Sequence, residues 1–358
     1  LSAASDYEAA LDAVRRFAKE QIFRVGVQII EGTLNALAAG PAFTNIAECS
    51  VAGLLAATEK ELALTAGRIP QGAFVVVAMG KLGSREMTAS SDLDLIFVYD
   101  APDDAVSDGG KSLPASMFYA RLAQRLIGAL TVPTAEGMLY EVDMRLRPTG
   151  NKGPVAVSLE SFSRYHATES WTWERLALTR ARVIAGSQEL GSKVAAVIRG
   201  ALTAAPDRAK ILADAADMRG KLFAQFPGKA PWDLKFARGG LVDIEFIAQT
   251  LQLLEAHSAP AVLHSNTIGA LNILAQVKAI AAEDAVALMA AAELELALMQ
   301  VLRIALDGEF DAASATPGLK GRLARAGDAE RFDDLEAKLQ NLQMQVRAIF
   351  EKRISAPA

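Results

Sequence analysis

A chain of 358 residues, 51% hydrophobic and 22% charged, is long enough for two or three domains around a sizeable core. A formal net charge of −5 with no Lys/Arg-rich tract argues against a nucleic-acid polymer as main partner, because phosphate-backbone binding leaves a basic footprint. Cys49 is the one cysteine, which excludes an internal disulfide framework and fits a reducing cytoplasm, and His166, His257 and His264 lack zinc-ligand spacing.

The N-terminus has no basic stretch followed by an apolar one, so no signal peptide is expected, and a chain starting at Leu reads as a fragment of something longer. No window approaches 18 uninterrupted apolar residues, so no membrane span is expected. Residues 6–32 read as one amphipathic helix, with Leu11, Val14, Phe17, Ile22 and Val25 on one stripe. A second helix is expected over 46–65, after the Gly40-Pro41 break. Residues 74–79 form a short β-branched run, a buried strand ending at Gly80. A Gly-containing loop leads into a second strand, "SDLDLIFVYD", and residues 101–114 form a polar loop. Helical spacing returns over 116–130. "MLYEVDMRLRP" then predicts a third strand over 138–148, with Tyr140, Val142, Met144 and Leu146 alternating against Glu141, Asp143, Arg145 and Arg147. From about residue 190 the chain is Ala- and Leu-rich. Helices are expected near 207–225, 241–257, 266–280, 282–307 and 329–352, with breaks at Pro227-Gly228, Pro260 and Pro317-Gly318, a helical bundle appended to a small α/β unit.

Asp92 and Asp94 are the anomaly. One residue apart on a strand, they point to the same face, while Leu93, Leu95 and Phe97 point into a core. Adjacent half-buried carboxylates repel each other and lose solvation unless something positive joins them. Hard oxygen ligands in this arrangement suit Mg²⁺ or Mn²⁺. Asp143 puts a third carboxylate on the polar face of a separate strand. Upstream, Gly80-Lys81-Leu82-Gly83-Ser84 ends a strand. Its glycines let backbone N–H groups approach phosphate oxygens, and Lys81 and Ser84 add a cation and a hydroxyl donor. The spacing is not that of a Walker A loop, and the acids do not fit an EF-hand. A glycosyltransferase also uses Asp-x-Asp to hold a metal-bound nucleotide, and that class stays open on these residues alone.

The Gly-Ser loop with Asp-x-Asp eight residues after Ser84 resembles the nucleotidyltransferase superfamily that includes DNA polymerase β. "GKLGSREMTASSDLDLIF", "YEVDMRLRPTGNKGPVAVS", "ESWTWERLALTRARVIAG" and "LKFARGGLVDIEFIAQ", in that order over residues 80–250, resemble glutamine synthetase adenylyltransferase. "ESWTWERLAL" resembles the C-terminal, adenylylating half of that bifunctional family. The implied fold is α+β: a small mixed-sheet, polymerase β-like nucleotidyltransferase domain over 67–190, a helical N-terminal segment over 1–66, and a helical bundle over 191–358. The resemblance makes Asp92, Asp94 and Asp143 the catalytic carboxylates and metal ligands. Gly80, Lys81, Gly83 and Ser84 become phosphate contacts, with Arg145 and Arg147 as further nucleotide-binding candidates on the face of Asp143. Trp171 and Trp173 read as packing anchors in preference to adenine platforms. Asp243 and Glu245 read as helix-dipole compensation in a first turn, and the resemblance implies a secondary cleft role for Lys235, Arg238, Asp243 or Glu245.

The implied reaction takes ATP and a tyrosine of glutamine synthetase to adenylyl-tyrosine and pyrophosphate, with two Mg²⁺ or Mn²⁺ ions held by the three carboxylates. The resemblance also implies a PII-type signal protein and glutamine as regulators of the intact enzyme, and neither nucleic acid nor membrane as partner. Phosphorolytic removal of AMP uses the same carboxylates and stays open, as does a non-catalytic nucleotide-sensing module.

Overall fold

The structure is a computed structural model that describes residues 6–229 and 231–355. Two long helices open the chain. Helix α1 (Tyr7–Glu31) starts where Asp6 accepts a hydrogen bond from the Ala9 N–H and stops at Gly32, whose φ of +75° suits glycine. Helix α2 (Ala36–Ala66) runs straight through Pro41, where a break was expected. Pro41 lies in the second turn, and Gly40 beside it lets the helix press on the backbone of Arg85 and Glu86, where a Cβ would sit 3.0 Å from the Arg85 carbonyl. What reads as a breaker is a packing device.

The sheet contains β1 (Ala73–Ala78), β2 (Leu93–Asp100), β3 (Val142–Asp143), β4 (Ala156–Ser158) and β5 (Arg182–Gly186). It is mixed: β1 lies antiparallel between β2 and β5, while β3 and β4 run parallel to β2 along its other edge. The predicted strand over 138–148 shrinks to the two residues of β3. After Asp143 the chain turns instead of continuing. The Arg147 guanidinium donates to the carbonyls of Met144 (2.7 Å) and Gly153, and Thr149 and Gly150 take positive φ. The chain rejoins β2 only at Ala156.

Both sheet faces are covered. Phe74, Val76, Leu93, Leu95 and Phe97 pack under α1, α2 and α4 (Ala115–Thr131). Val75, Val77, Ile96 and Val98 pack under α5 (Leu159–Thr168), α6 (Thr172–Leu178) and α7 (Gln188–Leu202), and under the later helices. The face of β2 carrying Asp92 and Asp94 is therefore polar only at its beginning; from Ile96 on it is core. Phe74 stacks on Phe97 and on Tyr119 of α4, pinning that helix to the sheet.

The remaining helices are α8 (Arg208–Gln225), α9 (Leu241–Glu255), α10 (Thr267–Gln276), α11 (Ala282–Ala305), α12 (Pro317–Ala326) and α13 (Phe332–Phe350). Helix α12 begins at the Pro317-Gly318 pair read as a break: proline is well placed in a first turn, where its missing N–H has no intrahelical acceptor. By length and composition α11 could cross a membrane, a property the uninterrupted-run criterion passes over, yet 67% of its apolar window is buried inside the fold. Glu295, on α11, is fully buried and accepts from Gln343 at 3.1 Å. It is a core helix, packed on α2, α10 and α13. The expected boundary at 66/67 coincides with the end of α2, whereas 190/191 falls inside α7.

Candidate active site

The site forms at the beginning of β2. Leu93 pairs with Val142 and Asp94 with Asp143, so parallel register sets the Asp94 and Asp143 carboxylates side by side, with Asp92 two residues before. The Met79 N–H donates to the Asp94 carbonyl at 2.9 Å, which ties the end of β1 to the same point. Residues 80–84 form a single short helix, α3 (Gly80–Ser84), whose first N–H groups have no intrahelical acceptor. Gly80 takes φ +51°, and a Cβ there would collide with the Asp94 carboxylate. The glycine thus brings the loop backbone directly onto the acid. Gly83 serves packing: a Cβ on it would collide with the Arg180 carbonyl. We expect Gly80→Ala to cost about 1–2 kcal/mol for the left-handed backbone plus the displacement of Asp94. A lowered melting temperature together with weakened nucleotide binding would register both; a variant matching wild type in both measurements would contradict this packing.

Electrostatics follow from the crowding. Burial, and then the charges of Asp92 and Asp143, push the Asp94 carboxyl up to about 6, against the pull of Arg145 and Lys235. Burial also pushes Asp143 up, but hydrogen bonds from the Arg145 guanidinium (2.7 Å) and backbone N–H (2.8 Å) leave it below the usual carboxylate range. Among the described residues, no three His, Cys, Asp or Glu side chains are gathered closely enough to hold a metal as they stand. The donor set nonetheless fits a hard divalent cation: three carboxylates, two of them register partners, whose mutual repulsion such an ion relieves.

The other candidates divide. Lys81 follows Gly80 in α3, with its Nζ 3.7 Å from the Met299 sulfur. Burial and the neighbouring charge of Lys235 hold its ammonium below the usual lysine range, with Glu245 opposing and Arg303 and Arg180 adding. Ser84 is fully buried, and its hydroxyl donates to Glu86 at 2.9 Å. Arg145 is exposed on Asp143, and Arg147 is buried in the loop it closes. Trp171 and Trp173 are 69% and 37% exposed, so they are not packing anchors. Glu174 accepts from the Trp171 N–H and from the Tyr165 hydroxyl, turning Thr172 and Glu174 inward and the indoles outward. Asp243 forms a fully buried ion pair with Arg219 and accepts from the Gly239 N–H, a structural role. Glu245 meets the buried Arg180 at 3.0 Å.

Sequence reasoning missed Glu86. Buried, it accepts from Ser84, from the Asn266 side chain, and from the Thr267 N–H and hydroxyl, with Arg180 3.7 Å away. It fastens α3 to the start of α10. Arg182 is a second fastener, donating to the Gly83 and Leu82 carbonyls and to Glu48. Glu86, between Arg85 and Met87, and Arg182, between Ala181 and Val183, carry no local pattern that would have identified either.

A glycine turn pressed against Asp94, between Asp92 and Asp143, on a mixed sheet is consistent with a nucleotidyltransferase fold. Residues 1–197, more than half the chain, match the family model described as glutamate-ammonia ligase adenylyltransferase. The chain belongs to that family. Residues 212–354 match the model for PII-uridylyltransferase, so the helical part of this adenylyltransferase-family chain also has a relative among nucleotidyltransferases. A bifunctional glutamine synthetase adenylyltransferase/adenylyl-removing enzyme of Rhodopseudomonas palustris (strain TIE-1) is 47% identical over 356 residues, covering 99% of this chain and 36% of the relative. Proteins of the same description from Bradyrhizobium diazoefficiens and Rhizobium meliloti are 46% and 44% identical, over 97% and 98% of this chain. The chain spans little more than a third of these relatives' length.

Proposed function

We propose that this chain is an adenylylating unit that transfers AMP from ATP to a tyrosine hydroxyl of glutamine synthetase, releasing pyrophosphate. The observation that carries this reading is the register of Asp94 with Asp143 directly against the Gly80 turn. It sets two acids and the backbone of the Gly80 turn around one point. Family membership supports the substrate pair.

The tyrosine oxygen attacks the α-phosphorus of ATP, the bond from that phosphorus to the β-bridging oxygen breaks, and pyrophosphate leaves with the electron pair. Asp92, Asp94 and Asp143 would hold Mg²⁺ or Mn²⁺, which supplies Lewis-acid neutralisation of phosphate charge when bound. Lys81 and the first N–H groups of α3 receive the departing phosphates. A free tyrosine has a pKa near 10, so little is ionised at neutral pH, and the Asp143 carboxylate is the proposed acceptor of the phenolic proton. Positioning and charge compensation supply most of the rate.

The proposed setting is the cytoplasm, with a PII-type signal protein and glutamine governing the intact enzyme. ATP at a hundredfold excess over its Kd should stabilise the chain by about 2.7 kcal/mol, and only with Mg²⁺ or Mn²⁺. Equal protection by ATP in EDTA would contradict the roles of Asp92 and Asp94. Direction is tested by supplying α-labelled ATP with unmodified glutamine synthetase, and in parallel phosphate with adenylylated synthetase. Label on the synthetase is expected; ADP released in the second arm alone would reverse the assignment, and silence in both would leave a binding module.

A further inference from the structure

A cavity of about 750 Å³ lies between the segment preceding α9, the end of α11 and the loop that follows it. Its volume is in the range that takes a small-molecule ligand. Trp232, Phe236 and Phe310 line it, with Trp232 and Phe310 in edge contact at 4.6 Å between ring centres. Lys235, Arg303 and Met299 line it as well, as do Asp233, Glu309 and Asp311; Asp233 accepts from the Phe236 N–H and Asp311 from the Ser314 hydroxyl. Met299 connects the cavity to the site, since its sulfur touches the Lys81 ammonium.

The cations at this junction make no direct ion pair. Among the described residues, Lys81, Lys235 and Arg303 have no carboxylate within ion-pair distance, although most basic residues around them do. Arg180 has Glu86 and Glu245, Arg219 has Asp243, and Arg182 has Glu48. Lys235 instead places its ammonium 4.7 Å from the centre of the Phe236 ring. Three cations without a direct ion pair, between an aromatic-lined cavity and the Asp94 cluster on which Lys235 already acts, match a ligand with a flat ring at one end and several negative charges at the other. The lowered affinity of Lys81 for its proton, to which both Lys235 and Arg303 contribute, agrees with that grouping.

We infer that this cavity seats the nucleoside end of ATP, with Lys235 and Arg303 joining Lys81 in holding the triphosphate as it runs toward Asp94. The inference rests on the adenylyl-transfer reading and extends it, because Arg303 and the aromatic wall come from the helical part, outside the Gly80–Asp143 motifs. The fold then makes the nucleotide site from two parts of the chain, and neither alone would bind ATP well.

Calorimetric titration of the whole chain with Mg-ATP and with Mg-tripolyphosphate tests it, alongside Lys235→Met, Arg303→Met and Phe310→Ala, each checked for wild-type melting. Lys235→Met and Arg303→Met should each weaken both ligands about tenfold or more. Wild type should bind ATP at least about tenfold more tightly than tripolyphosphate, and Phe310→Ala should shrink that preference. A Phe310→Ala variant that loses its fold would be replaced by Phe310→Leu, which keeps an apolar wall and removes the ring. Wild-type ATP affinity in Lys235→Met and Arg303→Met, with transfer activity present, would overturn this inference and leave the transfer reading standing. A wild-type chain that binds no ATP would overturn both.

Discussion

Asp94→Asn should reduce adenylyl transfer about a thousandfold or more, roughly 4 kcal/mol of transition-state stabilisation, while making the metal-free protein more resistant to heat. The two effects have one origin. Asp94 lies under the Gly80 backbone and beside Asp143, with its carboxyl pushed up to about 6 from an ordinary 3.8. Between those values the unfolded chain ionises this group while the native chain keeps its proton. Native stability in EDTA therefore falls as pH rises through that window and stays lower above it. Replacing the acid with its neutral isostere removes the slope. The gain at pH 7–8 has an upper bound of about 3 kcal/mol and vanishes near pH 3, where both states are protonated. Melting curves in EDTA at the two pH values, with a single-turnover transfer assay, check both halves. A variant less stable at pH 7–8 than wild type would show that the carboxylate is already compensated by the protein.

Asp143→Asn should lower kcat by about a thousandfold while leaving Mg-ATP affinity within about tenfold, roughly 1.4 kcal/mol. The structure sharpens the contrast with a salt-bridge role. Asp143 does pair with Arg145, but the Arg145 side chain is 75% exposed. Exposed ion pairs contribute only about 0–1 kcal/mol. If the pair were the whole purpose of Asp143, its loss would hardly move either melting or turnover. A kcat collapse without a melting change therefore assigns the residue to the chemical step. Arg145→Gln supplies the stability control: it breaks the same pair while keeping the Asp143 carboxylate, and its melting temperature should match that of Asp143→Asn. Wild-type kcat in folded Asp143→Asn would remove the carboxylate from the mechanism.

The acidic strand and the turn before it were legible because their chemistry departs from their pattern: Asp92 and Asp94 interrupt an apolar run, and Gly80 and Gly83 follow a β-branched one. The long helices were legible from periodicity. The third strand was overextended because alternation over 138–148 continues in the sequence after the backbone has turned, and the turn depends on Arg147 reaching the carbonyls of Met144, three residues back, and Gly153, six residues on. Pro41 and Pro317 were read as breaks where position within the first turns, invisible before the helix start is known, decides the outcome. Ser84 illustrates the same limit at the site: its hydroxyl was free to reach a phosphate in the sequence, and a buried carboxylate two residues on takes it. Trp171 and Trp173 were judged by their size, whereas the cap at Glu174 determines which way α6 presents them.

The most direct measurement is mass analysis of glutamine synthetase after incubation with Mg-ATP and this chain, wild type and Asp94→Asn side by side. The account predicts one added AMP on a tyrosine of the synthetase with the wild-type chain and essentially none with the variant over the same time. An unmodified synthetase with the wild-type chain, or equal modification with both, would contradict it.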